Sequence, residues 1–195
     1  MTWIDEVKLF LSVPIDRLLS ITAYGEAGSE GGEGMMAVLN VIRNRTTNLG
    51  AFGDSSILAA TNSPYHAVIL KEKQFSMFNP GDPVRTIAER LVSNWNNEIA
   101  SKESLKKAHE LSIMLLQGIL ADNTGGADHY HATYVSPQWA SIMPVTGQIG
   151  SHIFYASGKV LGTIAEFFGE RPLTGLLLVG IGLGALFMLM KRRRG

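Results

Sequence analysis

Five glycines fall between Gly25 and Gly34, and they divide two segments whose apolar residues recur near the helical period. Ahead of them, residues from about Trp3 to Ile21 read as two short helices, with Val13-Pro14 as the break and Pro14 opening the second. Behind them, Met35 to Arg45 reads as a core helix that is apolar on one face and ends in Asn and Arg side chains. The glycines predict a loop from Gly25 to Gly34, with Glu26 at its hinge. One carboxylate among the small residues of Ala23-Tyr-Gly-Glu-Ala27, shielded by Ile21, Ala23, Val38 and Ile42, would be a buried general acid, because a carboxyl kept from water holds its proton to higher pH. The plainer alternative is a glutamate stabilised by the dipole at a helix start.

Further along, Gly50 to Pro83 is rich in Asn, Ser, Pro and Gly without a sustained period, which predicts a long irregular wall with short strands. Pro83 to Trp95 and Ser101 to Leu120 read as scaffold helices, the second with Leu111, Met114, Leu115 and Ile119 on one stripe. Asn123-Thr-Gly-Gly126 would end that helix, and the aromatic and β-branched residues of Ala127 to Val135 and His152 to Tyr155 predict extended segments near a cleft.

No charged residue occurs from Leu173 to Met190, roughly the length that crosses a bilayer as a helix, and Lys191-Arg-Arg-Arg194 follows. Residues 173–190 are therefore expected to be a membrane anchor, 191–195 a basic tail that favours the cytoplasmic side, and 158–172 a juxtamembrane segment. Residues 1–20 form an N-terminal helical segment and 21–157 one catalytic domain. Gly180 and Gly184 form a G-x-x-x-G pattern through which two anchors could associate, although a lone anchor is the default. Removing the four cations of Lys191 to Arg194 from a formally neutral chain leaves residues 1–190 at −4, which argues against nucleic acid as a partner. The absence of cysteine excludes disulfides, thiolate metal sites and a cysteine nucleophile. The N-terminus does not read as a secretory signal, so an outward-facing domain ahead of its anchor poses a topological puzzle. Delivery by a bacteriophage, as a virion protein acting at genome entry, would resolve it. A bacterial or prophage inner-membrane enzyme is the competing origin.

Three pieces in order, Ala23-Tyr-Gly-Glu-Ala27 with Ala37-Val-Leu-Asn-Val-Ile-Arg-Asn-Arg45, then Gln74-Phe-Ser76, then His129-Tyr-His-Ala-Thr-Tyr-Val-Ser-Pro-Gln-Trp139 with Ile149-Gly-Ser-His-Ile-Phe-Tyr155, resemble the cell-wall hydrolases of the spore-cortex-lytic (SleB/CwlJ) type. The resemblance spans roughly Ile21 to Tyr155. It implies a mainly helical α+β, lysozyme-like domain that cleaves peptidoglycan glycan strands between N-acetylmuramic acid (MurNAc) and N-acetylglucosamine (GlcNAc), with Glu26 as the catalytic glutamate and neither metal nor cofactor. Glu30, Glu33, Asp54 and Asp82 fall in no assignable motif as a second carboxylate, which favours lytic transglycosylase chemistry over hydrolysis.

Tyr130, Tyr134 and Trp139 offer flat faces for sugar rings, Asn44, Gln74 and Ser76 offer hydrogen bonds to acetamido groups, and Tyr24, Phe75 and His131 complete the substrate-binding set. The plainer readings make Trp139 and Phe75 core aromatics and Asn44 a helix cap, and pair Arg43 and Arg45 with surface acids. Two rival functions remain. His129 and His131, two apart on an extended segment, point to one side and, with Asp128, His152 or His109, could hold a zinc ion for amide or peptide cleavage in the peptide stem. A membrane-anchored, wall-binding protein with its acid unused is the other.

Overall fold

A computed structural model describes residues 2–158, so the expected juxtamembrane helix, membrane span, basic tail and Gly180/Gly184 pair fall almost wholly outside the described residues. Among the described residues no helix is long and apolar enough to cross a membrane.

The structure is α+β and mainly helical. Helices α1 (Trp3–Glu6), α2 (Lys8–Leu11), α3 (Ile15–Ala27) and α4 (Gly31–Thr46) are followed by the short α5 (Leu49–Phe52), α6 (Ser55–Thr61) and α7 (Pro64–Ile69). Then come α8 (Arg85–Ser93), α9 (Trp95–Ser101) and α10 (Glu103–Leu116), and strands β1 (His129–Ala132), β2 (Val145–Ile149) and β3 (His152–Tyr155). The core lies between α3, α4 and α10, where Leu18, Leu19 and Ile21 meet Val38, Leu39 and Ile42 and the Leu105, Ala108, Leu111 and Leu115 stripe, all buried. Val7, Phe10 and Val13 share that core, and α3 runs unbroken through residues 20 and 21. The helical stretch before residue 21 is thus packed into the same core as the helices that follow.

The glycine cluster is not a loop. Gly25 lies inside α3, and Gly31, Gly32 and Gly34 lie in the first turn of α4, with only the 3₁₀ turn Gly28–Glu30 between the helices. What the glycines provide is a sharp corner, with Gly31 at φ +72° in a conformation open chiefly to glycine, and close approach at Gly25 and Gly34. The expected irregular wall of Gly50 to Pro83 is largely helical. The Asp54 side chain caps α6 by accepting from the N–H groups of Ser56 and Ile57, and Ser63 caps α7 with Pro64 at its first position. These polar residues and prolines are helix-start signals, which accounts for the misreading.

Strand β3 is central in a three-stranded antiparallel sheet of order β1-β3-β2, with Tyr130 opposite Phe154 and His131 opposite Ile153. Strand β2, not foreseen in the sequence, pairs with β3 across an irregularity between Val145 and Gly147. Ala37 and Val41 of α4 bury Ala127 and Phe154 in a small second cluster that seats the sheet on the helix.

Candidate active site

The polar residues that close α4 secure the chain entering β1. Asn40 Nδ2 donates to the Ala121 carbonyl at 2.8 Å, Arg43 Nη1 to that of Leu120 at 2.8 Å, Asn44 Nδ2 to that of Ala127 at 2.9 Å and Arg45 Nε to that of Asp128 at 2.7 Å. Each offsets the cost of enclosing a peptide carbonyl away from other backbone partners. The segment is thereby held against α4 up to the start of β1, and the next residue, Tyr130, points to the last turn of α3. Its hydroxyl donates to Glu26 Oε2 at 2.9 Å.

Burial pushes the Glu26 carboxyl above its ordinary range, the Tyr130 hydrogen bond and the charges of His152 and Arg45 pull it partly back, and the charge of Asp82 adds to the rise. Burial also raises the Tyr130 phenol well above its usual value, with the Glu26 carboxylate adding to the effect, so it stays a donor at any working pH. Glu30, one helical turn on, is set the other way. Burial pushes its carboxyl up, but hydrogen bonds from Ser151 and His152 outweigh burial and leave it below the ordinary range. Oε1 accepts from the Ser151 N–H at 3.2 Å and from the Ser151 hydroxyl, and Oε2 lies 3.0 Å from His152 Nδ1. Two neighbouring carboxyls are thus driven apart, one able to give a proton and one fixed as an anion by three donors.

The structure brings only part of the expected set to Glu26. Tyr130 touches it. Gln74 is half-buried and Ser76 exposed on the turn Gln74 to Phe78, whose Met77 packs so closely on Gly25 that a Cβ there would lie 2.6 Å from Met77 Cε, so this turn abuts the residue before Glu26. Tyr24 is half-buried over Gly28. Phe75, at 2% exposure, is a core ring 5.6 Å beneath the Arg45 guanidinium and offers no face to a sugar. Asn44 is occupied by the Ala127 carbonyl and Asp122. Tyr134, 86% exposed, lies beyond the end of β1.

Strand alternation decides the remaining two. Tyr130, His152 and Phe154 share the sheet face that meets Glu26, and His129, His131 and Tyr155 share the opposite one. Trp139 packs there, 5.2 Å from the His129 ring, 5.6 Å from that of His131 and 5.3 Å from that of Tyr155. Both His131 nitrogens are engaged, Nε2 with the Tyr155 hydroxyl at 2.8 Å and Nδ1 with the Ala132 carbonyl at 2.9 Å. His131 and Trp139 are therefore packed on the face turned away from Glu26. The histidines weighed for zinc are separated too: His129 pairs with Asp128, His152 with Glu30, and His109 with Ser20 and Asp16. Among the described residues no three His, Asp or Glu side chains converge to hold a metal ion.

Arg45 overturns a further expectation. It is 7% exposed and stacked over Phe52 and Phe75, and among the described residues it pairs with no surface acid and its buried Nη1 has no hydrogen-bond partner. Burial pulls its pKa below the usual arginine range, and Tyr130, Asp128 and Glu26 oppose the shift. It is a fixed cation under the site, signalled in the sequence only by its place in a helical run of buried positions. Ser151 and His152 lie in the Ile149–Tyr155 piece, but nothing in the sequence shows that Glu30 reaches them.

A protein family described as cell wall hydrolase matches residues 29–155, well over half of the chain and beginning three residues after Glu26. Among solved structures, the catalytic domain of the germination-specific lytic transglycosylase SleB from Bacillus anthracis is 25% identical, with a TM-score of 0.46 over 73% of this chain and 99% of that one. The catalytic domain of the Bacillus cereus SleB protein is 24% identical, with a TM-score of 0.44 over 74% of this chain and 93% of that one. No curated protein matches the sequence.

Proposed function

The chain belongs to the cell wall hydrolase family, and we propose that it cleaves the MurNAc–GlcNAc glycosidic bond of peptidoglycan as a lytic transglycosylase with Glu26 as its single acid–base carboxylate. The observation that carries this reading is the opposed setting of the two carboxyls: Glu26 is raised and holds one hydrogen bond from Tyr130, whereas Glu30 is bound to Ser151 and His152. Protonated Glu26 gives its proton to the glycosidic oxygen as the bond from the MurNAc C1 breaks. The C6 hydroxyl of the same sugar then attacks C1 and returns its proton to Glu26, closing a 1,6-anhydro ring with no water consumed. Tyr130 stays protonated throughout and steadies the carboxylate between the two transfers. Gln74, Ser76 and Tyr24 remain the substrate contacts proposed from this side.

Mass spectrometry of muropeptides released from purified sacculi by the full-length protein tests the reaction. Anhydro-muropeptides are expected. Reducing ends, one water heavier, would mean hydrolysis and would direct attention to Asp82, whose charge is felt at Glu26. Freed stem peptides would indicate the amidase or peptidase instead.

Residues 173–190 are proposed to anchor this enzyme in a membrane, of a phage particle or of the bacterial inner membrane, with the catalytic domain toward the wall. The full-length protein should stay with membranes through alkaline carbonate extraction; complete release into the supernatant would remove the anchor.

A further inference from the structure

Glu30 stands one helical turn beyond Glu26 and takes no part in the proton transfers proposed for that residue. It serves instead the turn between β2 and β3, where it receives the Ser151 N–H and hydroxyl and His152 Nδ1. Two glycines make room for it. A Cβ on Gly34 would lie 2.6 Å from Glu30 Cβ, and a Cβ on Gly150 would lie 2.7 Å from Oε2 and 2.9 Å from Cδ. Gly150 has φ +55°, so at this point the turn is both left-handed and pressed against the carboxylate.

The contact continues inward. His152, held by Glu30, sets its ring 5.1 Å from that of Tyr130 at 87°, while Phe154 stacks on Tyr130 at 5.7 Å and 29°. The strand backbone fixes where the Tyr130 Cα sits but leaves the ring free to turn about its side-chain torsions. An imidazole set nearly perpendicular on one side and a stacked phenyl ring on another remove that freedom, and the hydroxyl meets Glu26 at 2.9 Å. From Glu30 the contacts run through His152 and Tyr130 back to Glu26, starting and ending at the same corner between α3 and α4.

We infer that Glu30 is a positioning residue: by fixing Ser151 and His152 to the end of α3 it holds the His152 ring against Tyr130 and keeps the phenol aimed at Glu26. The inference rests on Glu26 as the acid. It assigns a task to the carboxylate nearest in sequence to Glu26, one that is not nucleophilic and does not activate water.

The test is a double-mutant cycle in the full-length protein, with cleavage of sacculi followed across pH beside the thermal unfolding midpoint. The isosteric Glu30→Gln keeps the cradle between Gly34 and Gly150 filled while weakening three charge-assisted hydrogen bonds. It is expected to lower kcat about tenfold with KM within about twofold. The groups facing Glu26 are Tyr130, His152, Arg45 and Asp82; of these, the Tyr130 hydrogen bond pulls the carboxyl down. Its weakening therefore moves the basic limb of the profile to higher pH, a shift that loss of stability alone would not produce. Tyr130→Phe should move the limb the same way, and the double variant should be no slower than Tyr130→Phe alone. Wild-type kcat and pH profile in Glu30→Gln, or losses that multiply in the double variant, would overturn the inference. Should Glu30→Gln not fold, Gly150→Ala, which crowds the same carboxylate from the turn, must show the same kcat loss and limb shift. Glu26→Gln as a control separates the two levels: full activity there removes the acid itself, whereas an inactive Glu26→Gln with multiplying losses removes only the positioning role.

Discussion

Glu26→Gln is expected to slow glycan cleavage by about 10²–10⁴-fold while leaving the protein at least as stable as wild type at neutral pH. The amide keeps the shape of the side chain and can still accept from the Tyr130 hydroxyl, now 2.9 Å from Oε2, but has no proton to give. The stability half follows from the direction of the pKa shift. A carboxyl raised by burial favours folding in its protonated form; that contribution is complete below the ordinary carboxylate range and is lost as pH rises through the raised folded value. Ionising this poorly solvated group costs the wild-type protein stability that the amide variant does not lose. On the proposed mechanism the same shift sets the pH profile: cleavage would need protonated Glu26 and should decline on the basic side through its raised pKa. Sacculus digestion and thermal melts measured side by side check both parts. A variant that retained a tenth of the activity would show that the proton comes from elsewhere.

Phe154→Ala should remove about 3–5 kcal/mol of stability, a large share of what a domain of this size possesses. Phe154 is 1% exposed and, with Ala37, Val41 and Ala127, joins the sheet to α4. Its neighbours in that cluster are mostly small, so there is little side-chain mass to collapse into the cavity left behind. It also stacks on Tyr130, so the loss should reach the site: the sheet loosens on α4, the phenol loses one of its two walls, and cleavage falls more steeply than the folded fraction does. Denaturant midpoints report the first effect, and activity at a temperature where the variant is fully folded reports the second. Phe154→Leu, which keeps most of the volume, should recover most of both; a Phe154→Ala variant unfolding at the wild-type midpoint would mean the sheet is held by other contacts.

The parts legible in the sequence are those governed by local rules. The break at Val13-Pro14, the core helix through Met35 to Arg45, the helix over the Leu111 and Leu115 stripe and the strands at His129 and His152 follow from period and breaker residues, and all are present with shifted ends. The misreadings are local rules met in unfamiliar combinations. Glycines at 25, 31, 32 and 34 signal a loop by propensity, yet packing overrides it: at Gly25 and Gly34 the backbone lies so close to Met77 and Glu30 that a side chain would collide, and Gly31 takes the positive φ of the corner. Between Gly50 and Pro83 the turn-forming residues are helix caps, and a cap and a turn draw on the same Ser, Asp and Pro.

By itself, the sequence determined the family, through pieces spanning Ile21 to Tyr155, the mainly helical α+β class, and Glu26 as the candidate acid; each rests on residue identity, order and period along the chain. Only the tertiary structure decided which aromatic serves that acid. Tyr130 and His131 are adjacent and both look fit to meet a sugar, but strand alternation sends one to Glu26 and the other to Trp139 on the far face. It likewise decided that Arg45 is a buried cation and that Glu30, 121 residues before Ser151, is committed to the β2–β3 turn. The physical reason is that a carboxyl's role is set by what surrounds it. Burial raises Glu26 and three donors lower Glu30, and those surroundings are assembled from segments a hundred residues away, which no local pattern encodes.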